Sequence, residues 1–311
     1  MIWSLSAAKT FKKCQRQWYF KNCLSDARAK DSRRHEAYLL SKLQSISAWR
    51  GSIVDAVISN VIVPAINKRN NISLKQVQKI AMEQFDKQLA FACQHPLHLP
   101  GLQPTKVGDE FAVFHCMEYG GNILEEEIEI ARKEVKQALA NLFEMSNIWI
   151  ELKAAEYIIT QRTLTFPYTE QIIRAVPDLI AFFKSKPPLI VDWKVHSLGV
   201  YRASKQLGIY ALALLRCNPH KDFPKSLKQW QEIDIRVLEV QLLTNQIRQY
   251  TLDDYRISEI ETYMGESITE MQLLVQNVKK KAMLDPLEFL AAQSPETCQR
   301  CNYQSLCWCE E

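Results

Sequence analysis

Residues 187–195 read Pro-Pro-Leu-Ile-Val-Asp-Trp-Lys-Val, a branched apolar run with one acid and one base set into it two residues apart. Side chains of a strand alternate between its faces, so Asp192 and Lys194 point one way while Val191, Trp193 and Val195 point the other. Any fold that hides Val191 and Trp193 in this way also crowds a carboxylate and an ammonium into one small volume. A second carboxylate, Asp178 in Val176-Pro177-Asp178, joins them if the segment between folds back as a hairpin. Two hard oxygen donors suit Mg²⁺ or Mn²⁺, and a lysine beside them can orient a water or offset charge developing on a phosphate. The set is the equipment of metal-assisted phosphodiester hydrolysis.

Acid-x-Lys occurs three times in the chain. Glu134-Val-Lys136 lies in a charged stretch of helical period, where i and i+2 do not face each other, and reads as solvated surface. Glu151-Leu-Lys153 is compatible with a strand but has no Pro-Asp upstream. Only Asp192-Trp-Lys194 follows a β-rich run entered through proline, and its simpler reading is a surface ion pair on an edge strand. Downstream, residues 197–217 read as a turn and then a helix. Gln206 and Tyr210 stand i and i+4 on it and can be aimed together at the acids. Tyr210 equally fits a core aromatic with its hydroxyl at the surface.

The nine cysteines are unevenly spread, with Cys298, Cys301, Cys307 and Cys309 near the end. Cys298-x2-Cys301-x5-Cys307 supplies three thiolates on a tight turn, and Cys14, in a basic and aromatic helical segment, is the best fourth ligand. Disulfides are disfavoured because the chain shows no secretory signal or transmembrane run; residues 53–66 are interrupted by Asp55 and Asn60. Zinc sites usually pair two Cys/His knuckles, and the second pair is missing. A four-cysteine iron–sulfur cluster tolerates a remote single ligand, so it is the first reading and zinc the alternative. Cys309 reads as a spare thiol. Cys23, Cys93, Cys116 and Cys217 read as small buried apolar residues.

With 311 residues and 47% hydrophobic content the chain can bury one large core or two smaller ones. A formal charge of +4 is too slight to argue for nucleic acid by itself. Basic residues do cluster at Lys9, Lys12, Lys13, Arg16 and Lys21, and then at Arg28, Lys30, Arg33 and Arg34. The interleaved Trp18, Tyr19 and Phe20 can stack on unpaired bases, but the buried face of the first helix is the preferred reading. Helices are predicted over residues 6–23, 35–68, 122–145 and 253–280, with another starting at Ser73, where Ser73-x-x-Gln76 resembles a capping box. Pro96, Pro100, Gly101 and Pro104 mark a loop. From residue 149 the period falls towards two, giving strands over 151–160, 164–166, 172–183, 189–195 and 233–243. Gly199 and Gly208 are too isolated for a phosphate loop, and the chain has no Gly-x4-Gly-Lys-Ser/Thr motor motif.

Taken together these residues resemble the RecB-like branch of the PD-(D/E)XK nucleases. More narrowly, they resemble its iron–sulfur members, which include the CRISPR-associated exonuclease of spacer acquisition and the nuclease domain of AddB-type repair enzymes. The matching positions are the N-terminal serine, phenylalanine and cysteine pattern ending at Cys14, then Gly51, Glu156, Asp178, Asp192, Lys194, Gln206, Tyr210 and the terminal cysteine triplet. The resemblance implies an α/β fold, a restriction-endonuclease-like core of mixed central sheet flanked by helices, with an N-terminal helical subdomain. It implies that Asp178, Asp192 and the Trp193 carbonyl hold Mg²⁺ or Mn²⁺, that Lys194 positions the attacking water, and that Gln206 and Tyr210 contact the substrate. Glu156 matches an acidic position near the metal, a structural salt bridge being its alternative. Cys14, Cys298, Cys301 and Cys307 would carry a 4Fe-4S cluster that ties the two termini together without redox catalysis. The family commonly has a histidine four residues after the glycine; here Asp55 stands there and can ligate a hard ion itself. His196 reads as a surface residue first and an accessory ligand second.

The expected organisation is an N-terminal helix over residues 1–30, a helical subdomain over 31–146, a nuclease core over 147–285 and a cysteine-rich tail over 286–311. The expected function is metal-dependent DNA hydrolysis by a cytoplasmic exonuclease. Its DNA would have a single-stranded portion, and its partner would be a CRISPR integrase complex or a helicase, with no membrane. The alternative is a cleavage-inactive DNA-binding or scaffolding module.

Overall fold

The period-two segments of the second half pair into two sheets, and the helices of residues 46–145 cover one face of the larger. The computed structural model describes residues 2–99, 101–196, 203–275 and 283–308. Its strands are β1 (Ile2–Trp3), β2 (Tyr157–Thr160), β3 (Leu164–Tyr168), β4 (Gln171–Ala175), β5 (Leu179–Phe182), β6 (Leu189–Lys194), β7 (Arg236–Gln241) and β8 (Gln246–Tyr250). The larger sheet runs β2-β5-β6-β7-β8, antiparallel except for the parallel pair β6–β7. A smaller sheet runs β1-β4-β3.

At the N-terminus, α1 (Leu5–Lys13) is capped by Ser4, whose hydroxyl accepts from the Ala7 N–H. It stops at Cys14, whose extended backbone breaks the helix and whose sulfur caps α2 (Gln15–Tyr19). After α3 (Ser32–Leu40), α4 (Ile46–Val57) continues through a π turn into α5 (Val63–Asn67). The capping box at Ser73 and Gln76 opens α6 (Leu74–Ala92). The short α7 (Pro104–Val107) and α8 (His115–Glu118) lead to α9 (Glu125–Glu144) and α10 (Ser146–Ala154). The parallel strands β6 and β7 need a crossover, which includes α11 (Ser204–Arg216). Against it packs α12 (Asp254–Val275), so close that a Cβ on Gly208 would meet Ile260 Cδ1 at 2.2 Å. The tail ends with α13 (Pro295–Gln299) and α14 (Gln304–Trp308).

Alternation divides the sheet cleanly. Ile159, Ile180, Phe182, Ile190 and Val237 face a core shared with α1, α2, α11 and α12. Leu179, Ala181, Val191, Trp193, Leu238 and Val240 face a second core with α4, α6 and α9. The helices of residues 46–145 therefore bury their apolar side chains in one cluster with the sheet. The helical run Ile46–Asn67 is long and apolar enough by length and composition to cross a membrane, contrary to the sequence expectation. Its Trp49, Ile53, Val54, Val57 and Ile62 are core residues here, each at most 1% exposed.

Several predicted elements need correction. Residues 172–183 are two strands in different sheets, because Pro177 interrupts the ladder and frees the chain to change layer. Residues 146–154 are helix, so Glu151-Leu-Lys153 does not lie on a strand. The helix expected over 35–68 is broken between Leu40 and Ile46. β8 follows a tight turn with Asn245 at φ 53°, and its mostly exposed side chains lack the apolar alternation that reveals strands. The expected helix beyond Val275 and the turn starting at residue 197, with Gly199, Pro100 and Cys309, lie outside the described residues. Trp18, Tyr19 and Phe20 are buried, as the preferred reading of that segment requires. Cys93 is exposed, because it closes the C-terminus of α6 instead of entering a core.

Candidate active site

Three adjacent strands bring three carboxylates abreast. Leu179 is in register with Val191, which sets Asp178 across from Asp192; Asp192 in turn pairs with Glu239 on β7. Neighbouring strands lie about 4.8 Å apart, so side chains pointing to one face at these positions must meet. Asp178 Oδ2 accepts from the Trp193 N–H at 2.9 Å, and Asp192 Oδ2 lies 2.5 Å from Lys194 Nζ. Asp192 is fully buried and Lys194 half-buried, the lysine side chain being 18% exposed. The surface ion pair considered for this triplet is thus an interior one.

α11 and α4 close the cluster from two sides. Gln206 donates to Asp192 Oδ1 at 2.9 Å and to the Tyr210 hydroxyl at 2.6 Å, so the i, i+4 pair faces the acids together. Asp55 comes from α4. Gln161, in the β2–β3 turn at φ 49°, donates to both Asp55 oxygens at 3.0 and 2.8 Å and reaches Asp178 Oδ1 at 3.4 Å. Arg50, one turn before Asp55, donates to the Val195 carbonyl at 2.7 Å and pairs with Glu134, pinning the end of β6 to α4.

The electrostatics are those of like charges held out of water. Burial, then Asp192 and Asp55, push the Asp178 carboxyl up to about 8, against the Trp193 hydrogen bond and Lys194. Burial, relieved by Gln161 and reinforced by Asp192, raises Asp55 to about 6. Asp192 is raised too, by burial first and then Glu239, while Lys194 and a hydrogen bond from Asp178 oppose. Each of the two carboxyls thus resists ionising beside the other, as like charges held out of water do. Burial also raises the Tyr210 hydroxyl, followed by the charges of Asp192 and Asp178.

Sequence reasoning passed over two contributors. Glu239 is fully buried and its carboxylate is saturated: it accepts from Tyr250 at 2.7 Å, Arg248 at 3.2 Å, Gln241, and the Ala203 N–H at 3.1 Å. Burial pushes Glu239 up, but the hydrogen bonds from Tyr250, Gln241 and Ala203 outweigh it and hold the group below the usual range. Through Ala203 it anchors the start of the helix that carries Gln206. A carboxylate inside Val237-Leu-Glu-Val240 was the available signal. Gln161 sits in a polar turn that carries no distinguishing pattern.

Other expected residues fall elsewhere. Glu156 is exposed just before β2, whose Tyr157 pairs with Phe182; Asp178 lies at the opposite end of that ladder, roughly 15 Å away at strand spacing. The acidic match of Glu156 is therefore not carried into the cluster. β6 ends at Lys194, so strand alternation does not extend to His196, whose buried Nδ1 has no hydrogen-bond partner. The Trp193 side chain faces the second core while its N–H serves Asp178.

Apart from the acids, Cys14, Cys298, Cys301 and Cys307 line one small apolar pocket, whose walls include Phe20, Ala291 and Ala292. Cys298 lies on α13, Cys307 on α14 and Cys301 in the turn between them. Burial raises the Cys301 thiol to about 12, and the Cys14, Cys307 and Cys298 sulfurs add to the effect. The Gln17 N–H donates to Cys14 Sγ at 3.3 Å and the Tyr303 N–H to Cys301 Sγ at 3.4 Å. None of the described cysteines forms a disulfide. Among the described residues, no three His, Cys, Asp or Glu side chains are drawn together as a closed ion-binding group.

A scan against protein-family models matches residues 2–308 to the PD-(D/E)XK nuclease superfamily. A search of curated proteins finds no match. Among solved structures, the chain is similar to a candidate exonuclease from Eubacterium rectale, at 14% identity and a TM-score of 0.44, covering 96% of this chain and 86% of that one. It is more distantly similar to a Vibrio cholerae protein, at 11% identity and a TM-score of 0.23, covering 75% of this chain and 58% of that one. With Asp178 at the entry of β5 and Asp192 and Lys194 on β6 converging on a mixed sheet flanked by helices, and with a family match spanning nearly the whole length, the chain belongs to the PD-(D/E)XK nuclease superfamily.

Proposed function

We propose that this protein is a metal-dependent deoxyribonuclease that hydrolyses phosphodiesters at the Asp178, Asp192 and Lys194 cluster. The observation that carries the reading is the pairing of half-buried Asp178 with fully buried Asp192, with the Lys194 ammonium 2.5 Å from Asp192 Oδ2. Buried like charges are costly without a counter-ion, and their oxygens are the hard donors that Mg²⁺ and Mn²⁺ prefer. Asp178 and Asp192 would hold the ion, with the Trp193 carbonyl and Asp55 as further ligands. When bound, the ion polarises the phosphate and lowers the pKa of the attacking water.

The chain's own groups do the rest. Gln206 and the Trp193 N–H fix the rotamers of Asp192 and Asp178, so the acids are preorganised before substrate arrives. Lys194 aims the water at phosphorus with one N–H and offsets the charge that grows on the phosphate oxygens as the new P–O bond forms and the leaving oxygen departs. Tyr210, kept protonated by burial and its acidic neighbours, serves as a hydrogen-bond donor at the edge of the site.

The second cofactor in this reading is a 4Fe-4S cluster on Cys14, Cys298, Cys301 and Cys307, with zinc as the alternative. Four thiols around one apolar pocket fit the soft donor set of either. The substrate is DNA with a single-stranded portion, processed as an exonuclease would in spacer acquisition beside an integrase or in repair beside a helicase. Purified protein incubated with end-labelled single- and double-stranded DNA, with Mn²⁺ or with EDTA, tests the reading. Cleavage that requires the metal and is lost in Lys194→Ala supports it. Metal-independent binding without cleavage by the parent protein would instead establish the scaffolding module, for which Asp55, with both oxygens engaged by Gln161, is the supporting observation.

A further inference from the structure

A cleft of about 510 Å³ opens beside the acid cluster, lined on its polar side by Ser4, Ser6, Lys9, Arg174, Gln206 and Tyr210. Gln206 and Tyr210 belong to the site described above; the other four come from α1, its cap and β4, which the nuclease reading does not use. Leu5 and Ile209 give the cleft an apolar floor. Lys9 stands near enough to Lys194, Lys205 and Asp192 to feel the charge of each. Lys205, next to the cleft-lining Gln206 in sequence, has its Nζ 3.8 Å from the centroid of the Tyr263 ring, and Lys12 sits 4.9 Å from the same ring. Arg174 is exposed on β4, directly across from Thr165. Cations gathered beside one another repel, and the ligand that turns such an arrangement to advantage is a polyanion.

We infer that this cleft is a phosphate subsite for the strand being cut: Lys9 and Arg174 hold the backbone phosphates next to the scissile one, and the apolar floor receives a sugar or base. The inference rests on the nuclease reading and extends it by assigning a direction from which the strand reaches Asp192, between α1 and β4. Lys9 and Arg174 are binding groups; they set the affinity and register of the strand and take no part in bond breaking.

The test measures binding and turnover separately. A labelled oligothymidylate of about 20 nucleotides is titrated with the full chain by fluorescence anisotropy in EDTA across a salt series, and metal-supported cleavage is followed under single-turnover conditions. Lys9→Ala and Arg174→Ala should each weaken binding about 5- to 10-fold at moderate salt and each lower the magnitude of the salt slope by about 0.7 to 1. Lys9→Arg should restore the slope. Lys75→Ala, which removes the same charge from the exposed face of α6, should leave it unchanged. In cleavage the two alanine variants should raise the protein concentration needed for half-maximal rate more than they lower the maximal rate. Parental affinity and slope in both variants, with the parent still cutting DNA, would overturn the subsite and leave the nuclease standing. A parent that neither binds nor cuts would overturn both, and an equal slope change in Lys75→Ala would reduce the cleft to bulk charge and so refute it.

Discussion

Replacing Asp178 by asparagine should make the metal-free protein more stable while abolishing its activity. The side chain keeps its shape and an oxygen for the Trp193 N–H. What it loses is the charge that burial, Asp192 and Asp55 together resist. The folded-state pKa of Asp178 is about 8 against an ordinary 3.8, so the folded state holds a proton that the unfolded chain releases, and stability falls as pH rises between those values. Below 3.8 the group costs nothing; above 8 the cost is complete. At pH 7 the difference is worth at most about 4 kcal/mol, and at pH 5 about 2, taking 1.36 kcal/mol per pH unit and asparagine as a stand-in for the protonated acid. Urea melts of parent and Asp178→Asn in EDTA at pH 5 and pH 7 measure this. The variant should be the more stable at both, with the larger gain at pH 7, and Mn²⁺ should stabilise the parent alone. A variant less stable than the parent at pH 7 in EDTA, or a gain that grows towards pH 5, would refute the picture of opposed buried carboxylates.

Other expectations concern the frame around the site. Glu239→Ala strands Tyr250, Gln241, Arg248 and the Ala203 N–H and should cost about 3 to 5 kcal/mol by urea unfolding, with Glu239→Gln costing less. Gly208→Ala drives a methyl against Ile260 and should destabilise by about 1 to 3 kcal/mol; pairing it with Ile260→Val should recover part of the loss. Protein purified anaerobically should absorb in the visible and contain iron and sulfide. Cys298→Ser should bleach that absorption and lower the melting temperature more than it changes Mn²⁺ affinity, since the cysteine pocket and the acid cluster draw on different segments. A colourless parent carrying one zinc would shift the tail to the zinc alternative.

What the sequence made legible was local. Alternation placed Asp192 and Lys194 on one face because their apolar neighbours needed the other, and the i, i+4 spacing of Gln206 and Tyr210 put both on one side of α11. Pro177 signalled a break, but periodicity alone could not reveal that β4 and β5 enter different sheets, since both segments read as β. The contribution of Glu239 depends on β7 lying parallel to β6, a pairing made across a crossover and unreadable from either strand. Glu156 shows the converse: its place in a motif order was right for a strand start, yet the ladder sends it to the end remote from Asp178. Burial of one face of α4 explains both the apolar run and the retention of Arg50 and Asp55 within it, because those two reach β6 and Gln161. Run length and mean apolarity alone cannot separate such a helix from a membrane span.

The most direct measurement compares the parent with Lys194→Ala in two readouts on the same preparation: Mn²⁺ binding by calorimetry, and cleavage of end-labelled DNA at saturating Mn²⁺. Lys194 orients the water and does not ligate the ion in this account, so the variant should bind Mn²⁺ with affinity within a fewfold of the parent and cut at least about 100-fold more slowly. Cleavage by Lys194→Ala at the parental rate would contradict it.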